Sequence, residues 1–185
     1  MTALTIDTLK VQLKEWKGCD LAKTACAVLG EGNANAEIMF IGEAPGEQED
    51  KLGRPFVGPA GKFLDELLNS IGLKREDVYI SNVVKYRPPA NRDPTPEEKA
   101  ACMPWLKMEI ALIKPRIIVP LGRHALGHFF QKLSITEAHG KPQKLTDSVT
   151  VFPIYHPAAA LHNGGLRQAL YDDFKALKSF LDAQK

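Results

Sequence analysis

The chain has 185 residues, 44% of them hydrophobic and 25% charged, an ordinary balance for a soluble globular protein; its formal net charge of +2 decides little, because a nucleic-acid enzyme needs a local basic patch rather than a basic whole. That length predicts one domain, residues 1–185, burying about 70% of its unfolded surface. No apolar run nears the roughly 18 residues of a membrane span, and Met1 to Lys17 lacks a secretory layout, so the expectation is a cytoplasmic protein with no membrane partner.

A helical pattern over Ile6–Lys17 comes first. The run "EIMFIG", Glu37–Gly42, reads as a buried strand. It opens into Ile41–Leu68, which holds five glycines, three prolines and six acids. The next helix, Ala60–Ile71, sets Phe63, Leu64, Leu67, Leu68 and Ile71 on one face. A second strand, Val78–Val84, leads into the short Pro- and Arg-rich loop Tyr86–Pro96. The helix Thr95–Lys114 begins at "TPEE", with a Thr N-cap, a proline at the first helical position and acids in the first turn. A third strand, Arg116–Gly122, a helix over Arg123–Gln131, a fourth strand, Val149–Tyr155, and a last helix, Leu166–Ala183, complete the order. Strands alternating with helices predict an α/β protein in three α/β/α layers, with a central four-stranded parallel sheet.

In open parallel sheets, ligands gather outside the carboxyl ends of the strands. Here those ends carry Gly42-Glu43-Ala44-Pro45-Gly46, then Ser81-Asn82 with Lys85 and Arg87, then Gly122-Arg123-His124, and finally His156-Pro157. The first loop lacks both GK[ST] and G-x-G-x-x-G. Its acids Glu43, Glu47, Glu49 and Asp50 repel phosphate and suit a ligand that offers N–H groups, or a reaction that develops positive charge. Phe56, bracketed by Gly53 and Gly58, fits either a stacking platform or a core plug. Asn82, in an apolar strand, offers a donor and an acceptor side by side, the complement of a pyrimidine edge, although a satisfied structural amide fits as well. His156, held by Pro157, suits a donor aimed at a ligand or a turn tie. His139 and His162 read as surface residues. Lys85, Arg87, Arg92, Arg123, His124, Lys141 and Arg167 fall on the loop side and suggest a phosphate-binding rim.

The segments "GEAPGEQEDKLGRPFVGPAG", "SNVVKYRPPANRDPTPEE", "PRIIVPLGRHAL" and "YHPAAAL" together resemble the ordered motifs of the uracil-DNA glycosylase superfamily, nearest its iron–sulfur family 4 branch, over about Cys19 to Phe180. The resemblance implies that fold, uracil-containing DNA as partner, a monomer, and release of uracil to leave an abasic site. It implies a uracil pocket lined by Gly42 and Glu43, with Glu49 excluding the thymine methyl, Phe56 stacking on the flipped base and Asn82 pairing with its edge. His156 would donate to uracil O2, and Pro157 to Arg167 would enter the minor groove. Glu43 is the candidate for positioning the attacking water.

The family holds its cluster with four cysteines, whereas this chain has three cysteines in all. Cys19 and Cys102 match two of the four positions, Trp16 and Tyr86 stand at the other two, and Cys26 matches none. The expectation is therefore no metal and no cluster, with the two aromatic side chains filling its volume. The loop after "NVVK" is short and has no histidine, which argues against the covalent trapping of a related branch. Two other readings fit the architecture less well: an inactive uracil-DNA-binding relative and a nucleotide hydrolase.

Overall fold

The computed structural model describes residues 4–184. In chain order, the elements are helix α1 (Ile6–Glu15), strands β1 (Glu31–Gly32) and β2 (Ile38–Gly42), helices α2 (Glu47–Leu52) and α3 (Pro59–Ser70), and strand β3 (Tyr79–Asn82). Then follow α4 (Pro96–Ile113), β4 (Ile117–Pro120), α5 (Gly122–Leu126), α6 (Ile135–Ala138), β5 (Gln143–Lys144), β6 (Thr150–Val151), α7 (Pro157–His162) and α8 (Gly165–Asp182).

The sheet order is β1-β3-β2-β4-β6-β5. The four predicted strands form its parallel centre, while β1 and β5 add antiparallel edges. Sequence gave no warning of these edges because each is two residues long. The fourth strand is also shorter than expected. The Phe152 and Ile154 N–H groups still donate to the Ile118 and Pro120 carbonyls, at 2.8 and 3.1 Å. Pro120 on β4, however, has no N–H to return, so the paired ladder ends at Val151 and resumes as a bridge between Leu121 and Ile154.

Side-chain alternation along β2 divides the core. Met39 and Ile41 face the layer of α1 and α4, with Leu9, Leu13 and Leu106. Ile38 and Phe40 face the layer of α3 and α8, with Leu64, Leu67, Leu170 and Phe174. Thus the three-layer α/β/α arrangement holds, around a six-stranded mixed sheet rather than a four-stranded one.

The local signals for α4 act as expected. Thr95 Oγ1 accepts from the Glu98 N–H at 3.2 Å, and the Thr95 N–H donates back to Glu98 Oε2 at 2.8 Å, a reciprocal cap. The helix predicted over Arg123–Gln131 ends at Leu126. The acidic connection, expected as loop, contains the short helix α2, with Glu47, Glu49 and Asp50 in its first turn, where carboxylates favour helical N–H groups.

Candidate active site

The carboxyl ends of β2, β3 and β4 and the residues after β6 open on one cleft of about 1070 Å³, lined by Glu43, Glu49, Phe56, Asn82, His124 and His156 among others. Five of these were singled out from sequence as pocket or catalytic residues, and His124 as part of the rim.

Gly42 is the point of closest approach. A Cβ there would lie 2.3 Å from Asn82 Oδ1 and 2.6 Å from Phe56 Cζ, so only glycine lets the strand pass behind both groups. Phe56 is buried and has φ of 51°, a left-handed backbone that a bulky residue rarely adopts. Its carbonyl accepts from Arg75 Nη1 at 2.9 Å, and the Pro55 carbonyl accepts from Arg75 Nη2. Glu49 closes the same loop. Its Oε1 accepts from the N–H groups of Val57 and Gly58, both at 2.8 Å, and its Oε2 from Gly46 at 3.1 Å.

Asn82 is 2% exposed and its Oδ1 has no hydrogen-bond partner among the described residues. A buried amide oxygen left so costs about 1–3 kcal/mol, which a ligand N–H would recover. Glu43 Oε1 has the same character. Lys99 Nζ lies 3.1 Å away and His124 Nδ1 3.4 Å away, but neither is aligned as a hydrogen bond. His124 Nε2 in turn lies 3.4 Å from Asp93 Oδ2.

His156 caps α7, its Nδ1 accepting from the Ala158 N–H at 3.1 Å. In the neutral ring the proton must then sit on Nε2. Burial, helped by the nearby His124, pushes its pKa down to about 4 against the smaller opposing pull of Glu49, so the ring is neutral at physiological pH. Gly122 makes room for it, with φ of +84° and a Cβ position 3.0 Å from His156 Cβ. The His156 and Phe56 ring centroids are 5.7 Å apart.

The expected rim is less uniform. Arg123 is exposed beside the cleft. Arg92 is exposed but grips Glu98 with both nitrogens, at 2.9 and 2.6 Å, and Arg87 donates to Asn91 at 2.7 Å. Arg167 pairs with Glu66 at 2.8 Å and covers the Phe63 ring at 4.3 Å. Pro157 is buried as the first residue of α7.

Lys85 does not belong to the rim. It is 0% exposed and paired with Glu109 on α4, because the chain leaving β3 turns it under the sheet. His139 also departs from expectation: it is half-buried, with Nδ1 2.8 Å from Asp173 Oδ1 and its ring 4.3 Å from that of Tyr155. Within the Pro157–Arg167 segment, sequence reasoning did not single out Leu161, an exposed apolar residue on the cleft wall. Its signal was a large hydrophobic side chain in an otherwise small-residue loop.

Where the resemblance places a cluster, Trp16 stacks on Tyr86 at 6.1 Å and meets Trp105 edge-on at 5.4 Å. Cys19 and Cys102 are buried free thiols, while Cys26 is exposed. Burial, with Cys19 nearby, pushes the Cys102 thiol up to about 12, which disfavours the thiolate a metal needs. These residues do not fit a four-thiolate cluster.

One cleft thus brings a ring, an unpartnered amide, a neutral histidine and a close-approach glycine to the ends of a parallel sheet. The family model for the uracil DNA glycosylase superfamily matches residues 29–178, and the chain belongs to that superfamily. It is 48% identical over 184 residues to a type-4 uracil-DNA glycosylase of Sulfurisphaera tokodaii, covering 94% of this chain and 84% of the relative. The type-4 enzyme of Saccharolobus solfataricus is 48% identical over 189 residues, covering 97% and 88%. That of Thermotoga maritima is 46% identical over 181 residues, covering 95% and 94%. The chain lies close to the family 4 branch.

Proposed function

We propose that the protein hydrolyses the N-glycosidic bond of uracil in DNA, releasing uracil and leaving an abasic site for repair. The observation that carries this is the unpartnered Asn82 amide facing Gly42 and Phe56, beside a neutral His156 whose free proton is on Nε2. A flipped uracil offers N–H and carbonyl groups to an amide and a π-face to a ring. Phe56 stacks on it, Asn82 reads its edge, and Glu49, pinned by three backbone N–H groups, stands where a thymine methyl would fall.

As the C–N bond breaks, negative charge grows on the base and positive charge on the sugar. The His156 Nε2–H donates to uracil O2, a fixed donor worth about 3 kcal/mol in a closed site. A ring with a pKa near 4 acts here as a hydrogen-bond donor rather than as an imidazolium. Glu43 keeps an open acceptor for the attacking water. Arg87, Arg92, Arg123, His124 and Arg167 face the DNA backbone, and Leu161 fills the space of the extruded base, an apolar wedge of known type.

Among the described residues no helix is long and apolar enough to cross a membrane. The chain acts as one domain and a monomer, in the cytoplasm. We read it as carrying no iron–sulfur cluster, since three thiols cannot complete the set. Purified protein is expected to show neither iron nor a thiolate–iron absorption band near roughly 400 nm, and either signal would overturn this.

The test is a uracil-containing oligonucleotide incubated with the protein and then treated with alkali. A strand break at the uracil position is expected. Uracil-DNA retained in a gel shift with no break, even at stoichiometric protein, overturns the catalytic reading.

A further inference from the structure

Behind the cleft, β3 carries a second constellation that the chemistry above does not use. Lys85 and Glu109 are both 0% exposed. Lys85 Nζ donates to the Asn82 carbonyl at 2.6 Å, to Ser81 Oγ at 2.8 Å and to Glu109 Oε2, so all three ammonium protons are spent. Glu109 Oε1 accepts from the Gly30 N–H at 2.7 Å, the Ser81 hydroxyl at 3.0 Å and the Tyr79 hydroxyl at 3.1 Å. Burial and the Glu109 charge raise the pKa of Tyr79, so it stays a donor.

A buried ion pair is a poor way to gain stability, since well-packed apolar residues of equal volume often do as well or better. What it supplies is a saturated, direction-fixed anchor. Here the anchor grips the peptide of Asn82, whose side chain on the opposite face of β3 has no partner of its own to orient it. An unheld amide would rotate away from the geometry the base requires.

We propose that Lys85 and Glu109 form a positioning pair that holds Asn82 for base reading, with Ser81 as the bridge between them. The pair touches no substrate and acts through Asn82. This inference rests on the base-reading role of Asn82 proposed above.

The experiment is a double-mutant cycle on uracil release under single-turnover conditions, with enzyme in excess. Lys85→Met is combined with Glu109→Gln so that no charge is stranded, and the pair is made in the wild-type and in the Asn82→Ala backgrounds. In the wild-type background, kcat/KM falls about tenfold, the scale expected for a displaced positioning group, and inhibition by free uracil weakens with it. In the Asn82→Ala background the same changes cost nothing further, because the residue they act through is gone. An equal loss in both backgrounds, or no loss in either, overturns the proposal. Should the paired variant fail to fold, Ser81→Ala removes the bridge alone and is read in the same cycle, with about a threefold loss expected and the same non-additivity. Wild-type protein that releases no uracil sinks the parent reading, and free-uracil binding measured by titration then still tests the pair.

Discussion

Two regions flank the exit of β3 and handle their polar groups in opposite ways. On the cleft side, Asn82 Oδ1 and Glu43 Oε1 are buried without aligned partners, and Phe56 sits in left-handed backbone. Four residues beyond Asn82, the block of Trp16, Tyr86 and Trp105 is closed. Rings meet rings, and the Tyr86 hydroxyl lies 3.0 Å from the Leu13 carbonyl and 3.1 Å from that of Trp16. Strain and unmet hydrogen bonds persist where a ligand completes them, whereas satisfied packing marks support. Mutations in the two regions should therefore fail differently, one in rate and the other in stability.

The largest separation is expected at Asn82. Asn82→Ala lowers uracil release by about 10²–10³-fold, the range for removing one precisely placed polar group. The melting temperature holds or rises slightly, because the oxygen removed had no partner to lose. A fall in stability matching the fall in rate would erase the distinction between the regions. Next comes Gly42→Ala, whose Cβ would drive into Asn82 Oδ1 and Phe56 Cζ. A loss of about 10²-fold is expected, as for an active group misplaced by about 1 Å, and single-turnover kinetics read it.

Trp16→Ala belongs to the other class. A half-buried Trp should cost about 2 kcal/mol, below the roughly 3–5 kcal/mol of a fully buried one. Denaturant midpoints should fall while uracil release per folded molecule stays unchanged.

His156 ties the comparison to pH. Its folded pKa, near 4, lies below the unfolded value of about 6.5, so the unfolded state binds more protons between them. The stability held by the neutral ring is complete above about pH 6.5 and declines as the pH falls toward 4. The acid limb of kcat/KM from this residue is likewise expected near pH 4, and a limb near 6.5 would show that the ring is not desolvated. Rate profiles, with melts at each pH, separate the two effects.

Much of the cleft was legible because its chemistry sits at predictable places, the carboxyl ends of β2, β3 and β4 and the start of α7. Gly42, Glu43, Asn82 and His156 each follow or end an apolar run that reads unmistakably as a strand. Lys85 was misplaced for a physical reason. A lysine after a strand is normally solvated, and the carboxylate that draws it inside, Glu109, lies 24 residues away, on a helix whose pattern gave no sign of a buried acid. His139 was misplaced in the same way, since Asp173 lies 34 residues off. The two-residue edges β1 and β5 carry too few side chains for any periodicity. Pro120 was visible in the third strand, yet where it would interrupt the fourth depended on the register between the two.

The smallest expected effect is also the finest probe of the closed region. Tyr86→Phe keeps the ring that stacks on Trp16 and removes only the hydroxyl, whose single proton is shared between the Leu13 and Trp16 carbonyls. Both carbonyls lie at the carboxyl end of α1, where carbonyls are short of intrahelical donors; among the described residues that of Leu13 has, besides the hydroxyl, only a long 3.3 Å bond from the Trp16 N–H. Removing their donor should cost about 1 kcal/mol and loosen the last turn of α1 first. Hydrogen exchange at the amides of α1 should therefore rise more than exchange across β2 and β3. If the hydroxyl is the tie between α1 and the β3 exit, Tyr86→Phe and Trp16→Ala should be strongly non-additive, because both act on one contact. Additive losses would mean that the rings hold α1 by packing alone.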